Sequence, residues 1–297
     1  MRLFTFPCYR DMGDKLCASL RIEREQFSVE RFANQELHAT IQSKVAGEEC
    51  LILGTIAPPD EQLLSFLLLS HTLRKEGAHS IRAMLPYLAY ARDDKWKEGK
   101  SLATAWIGAS LQAAGVDSVL TIDVHNTSSI HALFPLPVTS LSPAAIFARE
   151  IEKYALQQAT IVSPDKGARD RCLEVARAAH MSENIIVLEK TRTAEGVVHE
   201  ALAGEVRPQA IVVDDILDTG GTLVSCCEQL RQRGVEEITL LITHGLFTGS
   251  YWQKLWSLGV KRIICTDTIP QRADVVSEHI KIVSVLSLLD QYLAHYL

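Results

Sequence analysis

Short runs of β-branched and apolar residues recur along the chain: CLILGT from 50, IRAMLP from 81, SVLTIDV from 118, TIVSPD from 160, IIVLEK from 185, AIVVDD from 210, ITLLIT from 238 and KRIICT from 261. Each has the length of a buried strand. Between most of them apolar residues fall three and four apart, as in Leu63, Phe66, Leu67, Ser70 and Leu73, or Leu223, Cys226, Cys227 and Leu230. That is the spacing of a helix face, and strands alternating with helices predict parallel sheets. FPLPVTSLSP, residues 134–143, packs three prolines into ten residues without a period, so a domain boundary is expected just after it. Both halves pair a strand with an acidic or phosphate-suited loop, which points to an internal duplication. EQFSVERFANQELHATI, from 25, alternates as two antiparallel strands about a turn at Ala33-Asn34-Gln35.

With 297 residues the chain has room for two domains, and a hydrophobic share of 47% suits well-filled cores. A formal charge of -6 without long charged blocks argues against a nucleic-acid or membrane-surface partner and favours a small ligand. The seven cysteines show no CxxC spacing and read as reduced core residues. MRLFTFPCYR has no signal-peptide pattern, and no apolar run is long enough to span a bilayer. A cytoplasmic protein is expected.

Chemistry enters at AIVVDDILDTGGTLVS, residues 210–225. Here a strand is expected to end in Asp214 and Asp215, followed by the turn Asp218-Thr219-Gly220-Gly221-Thr222. Two glycines let backbone N–H groups turn inward around an anion, and a helix starting near Thr222 adds its positive end. Such a loop suits a phosphate monoester. Asp214 and Asp215 suit the hydroxyls of an attached sugar or a shared divalent metal, and together they describe a ribose 5-phosphate site. The bland alternative is an acidic cap followed by a glycine turn.

VVDDILDTGGT resembles the phosphoribosyl-diphosphate motif shared by phosphoribosyltransferases and ribose-phosphate pyrophosphokinases. RFANQE at 31, PYLAYARDD at 86, TIDVH at 121, SPDKG at 163, EKTR at 189, THGLF at 243 and TDTIPQ at 266 resemble pyrophosphokinase segments in the same order. The resemblance implies an α/β protein of two phosphoribosyltransferase-type domains, each a mainly parallel sheet flanked by helices. They would span 1–143 and 144–283, with a final helix within 284–297 packing back on the first. It implies transfer of pyrophosphate from ATP to ribose 5-phosphate. A phosphoribosyltransferase and a catalytically silent partner subunit are the alternatives.

By the same resemblance, Lys190 and Arg192 match the cations of a mobile catalytic loop. His125 and Asp165 match positions that bind Mg²⁺, His125 with ATP. Asp165, Lys166 and Gly167 begin the pyrophosphate loop. Arg92 and Asp93 match a nucleotide-contacting strand end. Phe32, Asn34 and Glu36 match a hairpin that holds the adenine of a neighbouring subunit's ATP, implying at least a homodimer; a core aromatic is the plain alternative for Phe32. Asn34 stands where aspartate is usual, Asp93 where glutamine is, and Ala168 where a second glycine is frequent, which would restrict the pyrophosphate loop. PCYRDMGD replaces a segment rich in serine, glycine and asparagine. Gly99-Lys100-Ser101 imitates the end of a P-loop, but Asp94 replaces its first glycine, so DKWKEGKS reads as a flexible basic loop.

Overall fold

The computed structural model describes residues 1–193, 196–200, 205–272, 275 and 277–295, with 189–193 and 196–200 as backbone alone. The chain divides into two compact units, Met1–Leu141 with Leu286–Leu297, and Ser142–Val285.

The first unit runs β1 (Arg2–Thr5), α1 (Arg10–Leu20), β2 (Arg24–Glu25), β3 (Phe27–Arg31), β4 (Leu37–Ile41), β5 (Glu49–Leu53), α2 (Glu61–Lys75), β6 (Ser80–Leu85), α3 (Ala103–Ala113), β7 (Ser118–Ile122), α4 (Thr127–Leu133) and β8 (Val138–Leu141). The second runs α5 (Ala144–Lys153), β9 (Thr160–Ser163), α6 (Arg169–Ala178), β10 (Ile186–Val187), β11 (Glu189–Thr193), β12 (Gly196–Glu200), β13 (Gln209–Leu217), α7 (Gly221–Gln232), β14 (Glu237–Gly245), a 3₁₀ helix (Tyr251–Leu258), β15 (Val260–Thr266) and β16 (Ile280–Val283). Last comes α8 (Leu286–Ala294).

Both sheets have six strands, in the orders β2-β1-β5-β6-β7-β8 and β10-β9-β13-β14-β15-β16. Every pairing within them is parallel. The two orders are one topology used twice. Each unit also interposes an antiparallel hairpin, β3–β4 or β11–β12, between its second and third sheet strands. Helices cover parallel sheets, so their central strands are apolar throughout rather than alternating. Ile211, Val212, Val213, Leu240, Leu241, Ile242, Ile263 and Ile264 accordingly have no exposed surface. In the first unit α8 packs on α1, and the Tyr292 hydroxyl meets Thr139 Oγ1 at 3.3 Å.

Several expectations need correction. Val138–Leu141, inside the proline-rich stretch, forms β8, an edge strand whose four residues are all half-buried. An edge strand has one neighbour and carries no long apolar run, so periodicity misses it. β1 and β16 are also short, four residues each, and no long apolar run announces them. IIVLEK is not one strand: β10 ends at Val187, Leu188 donates its amide to Ser163 O at 3.0 Å, and the chain then leaves the sheet for β11. β13 does not end at the acid pair. Ile216 and Leu217 continue its register against His244 and Gly245, so the loop begins at Asp218.

Candidate active site

In an open parallel sheet, ligands bind beyond the carboxyl ends of the strands where the strand order reverses direction. In the first sheet that point lies between β1 and β5, and it is plugged. Phe6 is 3% exposed, and a Cβ on Gly54 would meet its ring at 2.7 Å. The helix that follows, α2, opens with Asp60 and Glu61, which repel an anion.

The equivalent point of the second sheet lies between β9 and β13, paired from Ala210↔Thr160 to Val212↔Val162. The loop after β9 carries Asp165, Lys166 and Gly167, and the loop after β13 carries Asp218 to Thr222. The fold therefore brings together two loops that stand some fifty residues apart in the chain.

Each loop is built locally. Asp165 Oδ1 accepts the amides of Gly167 at 2.9 Å and Ala168 at 3.1 Å, which turns the chain into α6. Ala168 sits at φ -85°, ψ -4°, a conformation open to any residue, so alanine there brings no backbone strain. Ser163 Oγ donates to Asp165 O at 2.6 Å.

In the other loop the two glycines do different work. Gly220 has φ +90°, and a Cβ there would meet Trp252 Cα at 2.7 Å. Gly221, the first residue of α7, faces open space within 4 Å of its missing Cβ. Gly220, the N-cap, has no side chain to offer this helix start. A glycine turn leading into a helix start suits an anion. Thr219 is exposed, Asp218 and Thr222 are half-buried, and Thr248 N donates to Asp218 O at 3.1 Å to brace the turn. Trp252 is the floor beneath it, held by a 3.1 Å bond from Nε1 to Gly249 O and by edge contact with Phe247 at 4.9 Å between centroids.

Asp214 and Asp215 differ as sharply. Asp215 is buried, with Arg171 Nη1 at 3.9 Å from Oδ1, whereas Asp214 is half-buried. Burial, and next the charge of Asp215, push the Asp214 carboxyl well above its ordinary range, against an opposing pull from Arg171. A divalent cation or sugar hydroxyls would relieve that crowding, so hard-ion chemistry fits these donors. Among the described residues, no three His, Cys, Asp or Glu side chains are gathered to hold a metal alone.

Lys190 and Arg192 lie within β11, in register with His199 and Val197 of β12, not on a loop. Alternating threonines and the valine pair Val197-Val198 favour that ribbon. Their side chains lie outside the described residues.

In the first unit, Phe32 is 53% exposed and stacks on His38 at 4.2 Å, which removes the core reading. Asn34 Oδ1 accepts the Glu36 amide at 3.2 Å, and Arg31 Nη1 donates to Gln35 O at 2.6 Å, so the hairpin tip is internally tied. Arg92 and Asp93 do not stand at a strand end: β6 stops at Leu85, and both lie on the long connection to α3. Asp93 Oδ2 accepts Ser101 Oγ at 2.6 Å and the Ala103 amide at 3.0 Å. Those bonds hold its carboxyl below the usual range and place a carboxylate where a P-loop would need phosphate. His125 is exposed on the loop after β7. His125 and Asp165 belong to different units.

Sequence reasoning missed Arg171, Trp252 and Asn126. Arg171 adjoins Cys172 and Val175 on the buried side of α6, a helical spacing that separates it from exposed Arg169. Trp252 and Asn126 carry no comparable signal.

The two sheets and the loops at the β9–β13 reversal define an α/β protein of two phosphoribosyltransferase-type units. Residues 1–115 match the N-terminal domain of ribose phosphate pyrophosphokinase, and residues 144–294 match the phosphoribosyl synthetase-associated domain. Ribose-phosphate pyrophosphokinase of Campylobacter jejuni is 34% identical, over 96% of this chain and 92% of its own. That of Rhizobium meliloti is 32% identical, over 98% and 95%. The crystal structure of phosphoribosylpyrophosphate synthetase from Mycobacterium smegmatis aligns with 99% of this chain and 98% of its own, with a TM-score of 0.88 at 26% identity. The chain belongs to the ribose-phosphate pyrophosphokinase family and is an enzyme of the transferase class.

Proposed function

We propose that the protein transfers the β,γ-pyrophosphoryl group of ATP to the 1-hydroxyl of ribose 5-phosphate, giving 5-phosphoribosyl 1-diphosphate and AMP. The observation that carries this reading is the glycine turn into α7, with Gly220 at φ +90° and empty space at the missing Cβ of Gly221, beside the Asp165-Lys166-Gly167 loop at the strand-order reversal. In it, the amides of 219–222 hold the 5-phosphate and Asp214 takes the ribose hydroxyls. Asp215, already paired to Arg171, fixes the strand end beneath them. The 1-hydroxyl oxygen bonds to the β-phosphorus as the bond from that phosphorus to the α,β-bridging oxygen breaks, and the hydroxyl proton passes to solvent. AMP leaves. The new diphosphate rests on the Asp165-Lys166-Gly167 loop.

Phosphoryl transfer asks the protein mainly for position and positive charge. Lys190 and Arg192 supply that charge at the leaving oxygen. Phe32 stacks the adenine with Asn34 and Glu36 at its edge, Arg92 holds the triphosphate, and Asp93 fixes the loop carrying it. Mg²⁺ would neutralise the triphosphate, with His125 as a ligand on the nucleotide side and Asp165 as a ligand on the sugar-phosphate side. Domain limits at 143 and 283, a cytoplasmic location and a homodimer or larger homo-oligomer belong to the same reading. Among the described residues no helix is long and apolar enough to cross a membrane.

The test is ³¹P NMR of protein with ATP, Mg²⁺ and ribose 5-phosphate, repeated with Lys190→Ala. AMP and a sugar 1-diphosphate signal are expected, slowed about a thousandfold in the variant. ATP that survives intact, or yields only ADP, removes the reading in favour of a phosphoribosyltransferase or a silent subunit.

A further inference from the structure

Two neighbouring acids follow Arg92, and they have separate tasks. Asp93 closes the connection onto α3 through Ser101 and Ala103. Asp94 Oδ2 instead accepts Asn126 Nδ2 at 3.1 Å, while Oδ1 of the same amide accepts the Ser129 N–H at 3.1 Å and so caps α4. Asn126 directly follows His125. The connections carrying Arg92 and His125 leave adjacent parallel strands, with Leu85 opposite Thr121. A single half-buried amide therefore ties the Arg92 connection to the His125 loop.

We propose that Asn126 is a positioning residue for the nucleotide, holding the Arg92 and His125 loops at a fixed separation before the triphosphate arrives. The inference rests on the reading of Arg92 and His125 as nucleotide residues. Both stand on irregular backbone, where ordering a side chain at the moment of binding subtracts from affinity. The amide is chemically suited to the task, since it accepts at one end and donates at the other. A carboxylate at 126 would cap α4 equally well but repel Asp94.

That asymmetry supplies the experiment. Asn126→Asp keeps the cap, and with it the fold, but sets two acids against each other. Asp94→Asn leaves a carbonyl oxygen to accept from Asn126. The double variant restores the pair with donor and acceptor exchanged. Calorimetric titration with Mg²⁺ and α,β-methylene-ATP, whose bridge resists cleavage, reads nucleotide affinity independently of turnover. N126D is expected to weaken binding about tenfold, D94N by less than about threefold, and the double variant to return within about threefold of wild type. Melting temperatures and the KM for ribose 5-phosphate should stay unchanged, which a merely structural role would not give. Wild-type affinity in N126D, no recovery in the double variant, or no binding of the analogue by the wild type overturns the inference. If the binding pattern holds while wild type forms no AMP, the positioning role stands and the pyrophosphokinase reading fails.

Discussion

Gly220 and Gly221 are neighbours of the same type that the structure separates completely. At Gly220 a methyl group would meet both a positive φ and the Trp252 backbone, so Gly220→Ala is expected to destabilise the protein by about 1–3 kcal/mol. At Gly221 the backbone is helical and the space is empty, so Gly221→Ala should melt within about 2 °C of wild type yet raise the KM for ribose 5-phosphate. Thermal melting and steady-state kinetics on both proteins check this; equal melting losses would refute the division of roles. Asp214 gives a prediction in pH. Its carboxyl is raised in the folded protein, chiefly by burial and then by Asp215. Below the ordinary carboxylate range both folded and unfolded chains keep the proton, and removing the charge gains nothing. As pH rises through that range the unfolded chain ionises first, so stability falls until pH passes the raised folded value, and the full cost persists above it. Asp214→Asn should therefore raise the melting temperature of ligand-free protein at neutral pH, with the gain vanishing near pH 3. A gain of equal size at both pH values would point to packing instead.

Among the elements, the two hairpins were the least alike in how they could be read. β3–β4 announces itself by alternation about Ala33-Asn34-Gln35, and Gln35 takes φ +72° at the turn. β11–β12 was hidden, because Glu189-Lys190-Thr191-Arg192 follows IIV without a break and only the departure of Leu188 from β9 ends the sheet strand. The first hairpin also carries an exposed aromatic that its own fold does not require. Phe32→Ala is accordingly expected to shift stability by no more than about 0.5 kcal/mol while raising the KM for ATP several-fold. Denaturant melts beside ATP titrations measure both, and a large stability loss with an unchanged KM would return Phe32 to a structural role.

At the scale of the whole molecule, one topology occurs twice with opposite outcomes at its reversal point. The first copy is filled by Phe6 and faces the acids of α2, whereas the second is open at Gly221. If the first unit's hairpin serves a neighbour's nucleotide, defects in different units should complement. Assayed well below the KM for ATP, coexpressed Phe32→Ala and Lys190→Ala chains should then gain roughly a quarter of wild-type activity beyond the residue left by the Phe32→Ala dimers, because half of random dimers are mixed and each mixed dimer holds one intact site. Activity that never exceeds the sum of the separate variants would mean sites confined to single chains. The sequence by itself determined the α/β alternation, the repeated unit and the acid-and-glycine loop, because buried parallel strands are continuous apolar runs and tight anion turns demand glycine locally. Only the tertiary structure decided that Arg171 answers Asp215, that Trp252 dictates Gly220, and that Asn126 joins two loops. Each of those is a contact between residues distant in sequence or set by burial, and no local pattern of residue types encodes such a partner.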